Sequence, residues 1–254
     1  IRQKSPLVHN ITNYVVMNTT ANAILAIGAS PVMAHAIDEV EDMVGIASAV
    51  GGALVINIGT LSEPWVDAMS VAMQTAASQN VPIIFDPVGA GATSYRTDTC
   101  KKLIKSTRPT VIRGNASEIM ALLDAEVKTK GVDSSQTSDL ALESAKRLAK
   151  TYQCVVSVSG ETDLITDGNE VLKIGNGHPL MLRVTGLGCT ATALTGVFAA
   201  VNPTPLFSAT HAMAVMGVCG EIAGEQAKGP GTLQLHFYDA LYNLTKEQIT
   251  SYLK

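Results

Sequence analysis

The sequence predicts an α/β protein built on a mostly parallel β-sheet flanked by helices, and two patterns carry this prediction. Short apolar or β-branched segments alternate with longer segments whose apolar residues recur every three or four positions. The short segments are nearly continuous apolar runs, as expected of strands buried on both faces of a parallel sheet. The predicted strands are PVMA (31–34), ALVINIG (53–59), VPIIFDPVG (81–89), PTVIRGN (109–115) and CVVSVSG (154–160).

The segments between the strands predict helices that cover the sheet. Residues 63–79 and 138–152 carry helix-forming residues with apolar positions at helical spacing. DLITDG and EVLKIGN, between residues 163 and 176, predict an antiparallel hairpin at the sheet edge, turning at Asp167-Gly168. We expect a surface loop at residues 131–138 and a mainly helical chain from Cys189 onward.

Length and composition favour one soluble domain spanning residues 1–254, with no linker or repeat. The net charge of −4 provides no basic surface for nucleic acid or an anionic membrane. Charged residues interrupt the apolar runs before they reach the length of a membrane span. The first residues lack the apolar segment of a signal peptide, so we expect a cytoplasmic protein.

The four cysteines, Cys100, Cys154, Cys189 and Cys219, lie far apart in the sequence. None forms a CxxC pair or a short Cys/His spacing, which makes a zinc site or a disulfide framework improbable. We expect at least three of them to be small core residues.

Several predicted strands end in polar residues or glycine, and ligands of open α/β sheets bind beyond the carboxyl ends of the strands. In DPVGAGAT (86–93), the Asp86 carboxylate could hold Mg²⁺ directly or through water, or it could cap the turn. In IRGNASE (112–118), Asn115 and Glu118 match a helix capping box. A cap does not explain Arg113 in the same segment.

The segment VTGLGCTATALTG (184–196) predicts a strand end, a glycine turn and a helix start. The N–H groups of Gly186, Leu187 and Gly188 could form an anion hole at the helix N-terminus, although an ordinary turn explains them too. The motif matches neither the dinucleotide fingerprint nor the P-loop.

Cys189, the residue after this turn, has three interpretations. It could be a core residue, or a nucleophile for acyl transfer whose pKa is lowered at the helix N-terminus. It could instead mark the position where a substrate hydroxyl loses its proton beside the anion hole. The sequence pairs none of the five histidines with it.

The N-terminal stretch PLVHNITNYVVMNTTANAILAIGASPVMAHA (6–36) predicts a helix capped by Thr12 or Asn13. Its core-facing positions would be Val16, Ala23, Ile24 and Ile27. The asparagines and methionines of this stretch could equally line a small neutral pocket.

Taken together, that stretch and the motifs NIGTL, DPVGAGAT, RGNASEIMALL and RVTGLGC resemble, in this order, the hydroxyethylthiazole kinase family. This family is the thiamine-salvage branch of the ribokinase-like kinases, and the resemblance covers essentially the whole chain. It implies a three-layer ribokinase-like fold without a lid domain, assembled as a homotrimer with active sites between subunits. The implied reaction transfers the γ-phosphoryl of ATP to the primary hydroxyl of hydroxyethylthiazole, with Mg²⁺.

The resemblance also implies roles for individual residues. Cys189 occupies the position where relatives in the ribokinase group have their aspartate base, so we expect it to position the hydroxyl and accept its proton late. Ser159 stands where family members often have Thr, and it keeps the hydroxyl. The implied roles are Mg²⁺ for Asp86 and Glu118, ATP for Arg113 and Ser159, the thiazole for Met33 and Gly186, and a contribution from the neighbouring subunit for Asn13 and Val15.

Three other functions compete with this interpretation. The nearest is a hydroxymethylpyrimidine-type kinase of the same fold. A Cys-dependent acyl transferase or hydrolase would need neither ATP nor Mg²⁺, and a nucleotide sensor would bind ATP without turnover.

Overall fold

The computed structural model describes the backbone of residues 1–123 and 134–254, and the side chains of these residues except 134–137. Eight strands form one sheet in the order β2-β1-β3-β4-β5-β6-β7-β8. Their bounds are β1 Leu7–Ile11, β2 Ser30–Val32, β3 Ala53–Asn57, β4 Ile83–Asp86, β5 Val111–Asn115, β6 Val155–Ser159, β7 Asp163–Thr166 and β8 Val171–Ile174.

The first six strands of the chain are parallel, and the last two are antiparallel. This confirms both the predicted parallel sheet and the hairpin at its edge. The register aligns Asn57 with Asp86 and Asn115 with Ser159. Polar residues that end neighbouring strands therefore lie side by side at one edge of the sheet.

Helices cover both faces of the sheet and form two cores. One face packs against α1, α7, α8 and α9, and the other packs against α2 to α6, giving the three layers that were expected. A short 3₁₀ helix, Pro179–Arg183, precedes α7. The helices are α1 Met17–Ile27, α2 Val40–Ala49, α3 Glu63–Ser78, α4 Ser94–Ser106, α5 Ala116–Leu122, α6 Ser134–Tyr152, α7 Leu187–Val201, α8 Pro205–Gln226, α9 Pro230–Asn243 and α10 Lys246–Tyr252.

The N-terminal stretch differs from its prediction. Residues 7–11 form the inner strand β1, and α1 begins only at Met17, with no side-chain cap. The predicted cap at Thr12 or Asn13 is therefore wrong, because these residues connect the strand to the helix. The predicted core positions of the helix are confirmed, since all four are buried: Val16, Ala23, Ile24 and Ile27.

Two further predictions concern the middle and the end of the chain. Helix α6 begins at Ser134, so the surface loop predicted for residues 131–138 is wrong for 134–138, and residues 131–133 lie outside the described part. The chain after Cys189 is mainly helical, as expected. Within the described residues, α8 has the length and hydropathy of a membrane span, but 83% of that window is buried in the protein.

The segment that leads to α7 packs closely on α8 through three glycines of that helix, Gly217, Gly220 and Gly224. A Cβ atom at Gly217 would lie 2.5 Å from the Asn176 Cβ and 2.6 Å from its carbonyl oxygen. The Asn176 amide donates to Glu221 of α8 and to the Tyr252 carbonyl oxygen. Backbone and side chain of the segment are therefore fixed, with no space for a larger residue at Gly217.

We expect Gly217→Ala to lower the free energy of unfolding by about 1–3 kcal/mol, because the added methyl group overpacks a rigid contact. Gly45→Ala in α2 is the matched control, since nothing lies within 4 Å of its added Cβ. The control should be neutral or stabilising by up to ~1 kcal/mol, because alanine favours the helix. Urea denaturation measures both, and equal effects in the two variants would contradict the packing argument.

Candidate functional site

The carboxylate of Asp86 lies at the end of β4 and is 1% exposed. Its Oδ2 atom accepts hydrogen bonds from Asn57 Nδ2 at 2.8 Å and from Thr192 Oγ1 at 2.7 Å. Burial raises its pKa to about 7; the Arg113 charge and the two hydrogen bonds oppose this shift, and the Glu118 charge adds to it. The centre of the site is therefore an acidic group that titrates near neutrality.

Asn57, at the end of β3, connects Asp86 to the N-terminal segment. Its Oδ1 atom accepts from Asn13 Nδ2 at 2.8 Å and from the Gly59 N–H at 3.0 Å. The Asn13 amide also lies 3.6 Å from Cys189 Sγ. Asn57 was assigned no role in the site from the sequence.

Arg113, on β5, joins two further elements to this edge of the sheet. Its Nη1 donates to the Gly188 carbonyl oxygen at 2.9 Å, and its Nη2 donates to Ser159 Oγ at the end of β6. The side chain is 7% exposed, and its Nε is buried with no hydrogen-bond partner among the described residues. The two predicted nucleotide contacts, Arg113 and Ser159, are thus brought together beside the glycine turn.

Glu118 forms the capping box that its spacing predicted. Its Oε2 accepts from the Asn115 N–H at 2.8 Å, while Asn115 Oδ1 accepts from the Glu118 N–H. Its other oxygen, Oε1, accepts from the Gly89 N–H at 2.8 Å and holds the loop after β4. Each carboxylate oxygen keeps a free lone pair, so the cap does not exclude a second role.

The glycine turn produces an uncapped helix N-terminus facing this site. Gly186, the N-cap residue of α7, has φ 86° and no side-chain hydrogen bond. A Cβ atom there would lie 2.7 Å from Val16 Cγ1, so both torsion and space require glycine. The first intrahelical bond runs from Thr190 N to Gly186 O, which leaves the N–H groups of residues 187–189 ahead of the ladder. They have the arrangement expected of an anion hole.

Cys189 is half-buried, and the other three cysteines are buried, as expected of core residues. The pKa of the Cys189 thiol is raised to about 11, first by burial and then by the Asp86 charge. The amides of Asn57 and Asn13 and the charge of Arg113 oppose this shift only in part. The interpretation of Cys189 as a nucleophile with a lowered pKa is therefore wrong.

Three of the four predicted acceptor-site residues, Met33, Asn13 and Val15, lie on the connections that follow β1 and β2, and the fourth, Gly186, is the N-cap of α7. Met33 is half-buried and packs against the α1 side of the sheet. Asn13 contacts Asn57 and Cys189 of its own chain, and the contribution of Asn13 and Val15 to a neighbouring subunit's site stays a prediction. Val15 points outward and is 62% exposed.

Arg96, on α4, holds two loops at the rim of the site. Its guanidinium donates to the carbonyl oxygens of Ile58 and Val88 at 3.1 and 2.8 Å, and to that of Gly59 at 2.7 Å. These carbonyls follow β3 and β4. No sequence pattern predicts these contacts of Arg96, because the three acceptors are backbone atoms.

Comparison with known proteins places this geometry in a family. The sequence profile of the hydroxyethylthiazole kinase family matches residues 1–247. The chain belongs to the hydroxyethylthiazole kinase family. It is 59% identical to the hydroxyethylthiazole kinase of Syntrophus aciditrophicus, over 100% of this chain and 93% of that protein.

Solved structures agree with this family assignment. The hydroxyethylthiazole kinase structure from Pyrococcus horikoshii OT3 has a TM-score of 0.91 and 43% identity, covering 100% of this chain and 94% of that one. A ribokinase-like superfamily protein from Enterococcus faecalis has a TM-score of 0.66 at 13% identity, covering 95% of this chain and 87% of that one. The predicted family and ribokinase-like α/β fold are both confirmed.

The donor set of this hydroxyethylthiazole kinase family member fits Mg²⁺ held mainly through water. The described residues contain no group of three or more His, Cys, Asp or Glu side chains that could enclose a metal. They do place two carboxylates, Asp86 and Glu118, close enough for the Glu118 charge to raise the pKa of Asp86. Mg²⁺ typically binds one or two carboxylates together with waters and substrate phosphates. A bound divalent cation would offset the repulsion between the Asp86 and Glu118 carboxylates.

The raised thiol pKa predicts slow alkylation of Cys189. At pH 7.5 we expect iodoacetamide to react at least about thirtyfold more slowly with Cys189 than with glutathione, because little thiolate is present. The rate should keep rising about tenfold per pH unit up to about pH 10, where that of a free thiol has levelled off. Mass spectrometry of the labelled peptide, with Cys189→Ala as the blank, measures the rate. Stoichiometric labelling at the rate of a free thiol would restore the nucleophile interpretation.

Proposed function

We propose that this protein is an ATP-dependent hydroxyethylthiazole kinase, with a single kinase domain over residues 1–254, acting in the cytoplasm. One observation carries the proposal: a chain matched end to end by hydroxyethylthiazole kinases places an uncapped helix N-terminus beside Cys189 and Asp86. The raised pKa of Cys189 disfavours the acyl transferase alternative. The full-length identity favours the thiazole branch over a hydroxymethylpyrimidine-type kinase.

The chain's own groups act on the transferring phosphoryl through the N-terminus of α7. The N–H groups of residues 187–189 and the positive end of the helix dipole stabilise the negative charge of the moving group. The buried Nε of Arg113 has no hydrogen-bond partner among residues 1–123 and 138–254, and a phosphate oxygen would satisfy this donor, which supports the role of Arg113 as an ATP contact. Ser159 keeps the Arg113 guanidinium in place.

Asp86 and Glu118 would hold Mg²⁺ through water, and their oxygens leave its remaining positions to the phosphates of ATP. When bound, the metal neutralises charge on the β- and γ-phosphates. Burial and its two donors fix the orientation of the Asp86 carboxylate. Glu118 meanwhile holds both the start of α5 and the loop after β4.

Cys189 positions the acceptor hydroxyl at the mouth of the anion hole. With a pKa near 11 its thiol stays neutral, so it does not remove the proton before phosphoryl transfer begins. A loose transition state requires little base assistance, so a late proton transfer is sufficient. Met33 and Gly186 would contact the thiazole ring, with Asn13 and Val15 beside them.

The exposed apolar residues beside Asn13 support assembly into a homotrimer with sites at the subunit boundaries. Val15 is 62% exposed and Tyr14 is 67% exposed, with the Tyr14 ring 4.9 Å from that of Trp65. Large apolar side chains grouped on a surface are typical of protein contacts. A second copy of the chain that covers them would bring its own residues to the acceptor site.

We expect thiazole-dependent release of ADP, matched by phosphorylated thiazole, when the protein is incubated with ATP, Mg²⁺ and hydroxyethylthiazole. Hydroxymethylpyrimidine is the parallel acceptor, and chromatography measures product and ADP together. ADP release with the pyrimidine alone would identify a hydroxymethylpyrimidine-type kinase of the same fold. ATP binding without turnover on either acceptor would identify a sensor and overturn the kinase proposal.

We expect Cys189→Asp to retain turnover within about tenfold of wild type or to raise it, because a carboxylate can take over both positioning and proton acceptance. Cys189→Ser is the matched control, since it keeps a small polar group without adding charge. Steady-state kcat and KM for the thiazole measure both. A loss of more than about a hundredfold in Cys189→Asp, with Cys189→Ser active, would show that space rather than proton transfer limits this position.

Sedimentation equilibrium should give three times the 26.6 kDa chain mass for the wild-type protein. Replacing the exposed side chain in Val15→Glu should shift the protein towards smaller species, because a buried charge without a partner destabilises an interface. Lys246→Glu on the exposed side of α10 is the control. A monomeric wild type at assay concentration would contradict the trimer.

A further inference from the structure

Asn57 lies between the part of the site assigned to the metal and phosphates and the part assigned to the acceptor alcohol. It is 1% exposed, and it makes three hydrogen bonds of 2.8 to 3.0 Å. Its Nδ2 donates a hydrogen bond to the Asp86 carboxylate, and its Oδ1 accepts one from the Asn13 amide. Asn13 in turn contacts Cys189 Sγ, so four side chains form one continuous chain across the site.

The direction of these hydrogen bonds is fixed by their chemistry. The backbone N–H of Gly59 can only donate, so Asn57 Oδ1 must face it and the NH₂ group of Asn57 must face Asp86. The Asn57 oxygen then faces Asn13, whose NH₂ group must turn towards it and towards the sulfur of Cys189. Asn13 Oδ1 accepts from the Val15 N–H, which holds the amide in that orientation. A flip of the Asn57 amide would place two oxygens together on the Asp86 side and would turn its NH₂ group towards the donors Asn13 Nδ2 and Gly59 N–H on the other side.

A second donor to Asp86 makes it possible to test the two ends of this hydrogen-bond chain separately. Asp86 Oδ2 also accepts a hydrogen bond from Thr192 Oγ1, and Thr192 does not contact Asn13 in this chain of hydrogen bonds. Thr192 therefore holds the carboxylate alone, while Asn57 holds the carboxylate and the Asn13 amide together. Loss of Thr192 would therefore affect the Asp86 carboxylate alone, whereas loss of Asn57 would affect the geometry of both Asp86 and Asn13.

We propose that Asn57 is a positioning residue that orients Asp86 for the metal and nucleotide and, through Asn13, orients Cys189 for the acceptor alcohol. The inference rests on the proposed kinase function. It makes Asn57 the residue through which the two halves of the site keep a common geometry, although it touches neither substrate.

The test compares Asn57→Leu with Thr192→Val and Asn13→Ala. Leucine removes all three hydrogen bonds of Asn57 at similar volume, and valine removes the other donor to Asp86. Alanine removes the Asn13 amide with its contacts to Asn57 and Cys189 but leaves the hydrogen bond from Asn57 to Asp86 in place. Each protein is assayed at varied thiazole and varied Mg²⁺, and thermal unfolding and ATP binding verify that it is folded. The split between KM and kcat is a readout that a structural defect alone would not move selectively.

We expect Asn57→Leu to raise both the KM for the thiazole and the Mg²⁺ concentration needed for half-maximal rate, each by about fivefold to a hundredfold. Thr192→Val should shift only the Mg²⁺ requirement, and Asn13→Ala only the KM for the thiazole. The double variant Asn13→Ala with Asn57→Leu should have a KM for the thiazole no higher than that of Asn57→Leu alone, because both act through one chain of contacts.

An unchanged KM for the thiazole in a folded Asn57→Leu protein would overturn the inference, and so would additive effects in the double variant. If Asn57→Leu does not fold, Asn57→Ser provides the same comparison, since its smaller side chain leaves room for water. A wild-type protein without turnover would refute the proposed function. An active wild type without the expected pattern would refute only the role of Asn57.

Discussion

The site depends on one constraint, which is that a buried carboxylate must be surrounded by donors. Asp86 is almost completely removed from solvent at the end of β4. Its donors come from β3 and α7, and the balancing charge comes from Arg113 on β5. Because Arg113 also binds the Gly188 carbonyl and Ser159, stabilising this one charge fixes the start of α7 against three strands. The uncapped N-terminus of α7 and the acidic centre are thus held by the same contacts.

The sequence was sufficient for most of the fold because the buried parallel strands are marked by nearly continuous apolar runs. It failed at β1, whose central residues His9 and Asn10 are polar and yet fully buried. His9 contacts the Ala34 carbonyl, which the fold brings to it from the connection after β2, and Asn10 donates to the Val8 carbonyl of its own strand. No local pattern distinguishes such residues from a polar connection before a helix. The start of α1 at Met17 was not predicted either, because no side chain caps this helix.

The site residues divide along similar lines. Asp86, Arg113, Ser159 and Cys189 were recognisable because each lies in a motif at a strand end or a glycine turn. Asn57, Thr192 and Arg96 were not, because their roles arise from partners between 29 and 106 residues away, or from backbone oxygens. The lowered pKa that one interpretation gave Cys189 was wrong, because it considered only the effect of a helix N-terminus. Burial and the nearby Asp86 carboxylate outweigh that effect, and neither can be read from the local sequence.

The contacts of Arg96 have a consequence for how this family can vary. One guanidinium from α4 holds the carbonyl groups that follow both β3 and β4. An insertion or deletion in either loop would move its carbonyls away from a group whose position is set by the helix. The two loop lengths are therefore coupled, although the loops are separate in sequence. Natural variation in length should be accommodated elsewhere on the molecule, far from the carboxyl ends of these two strands.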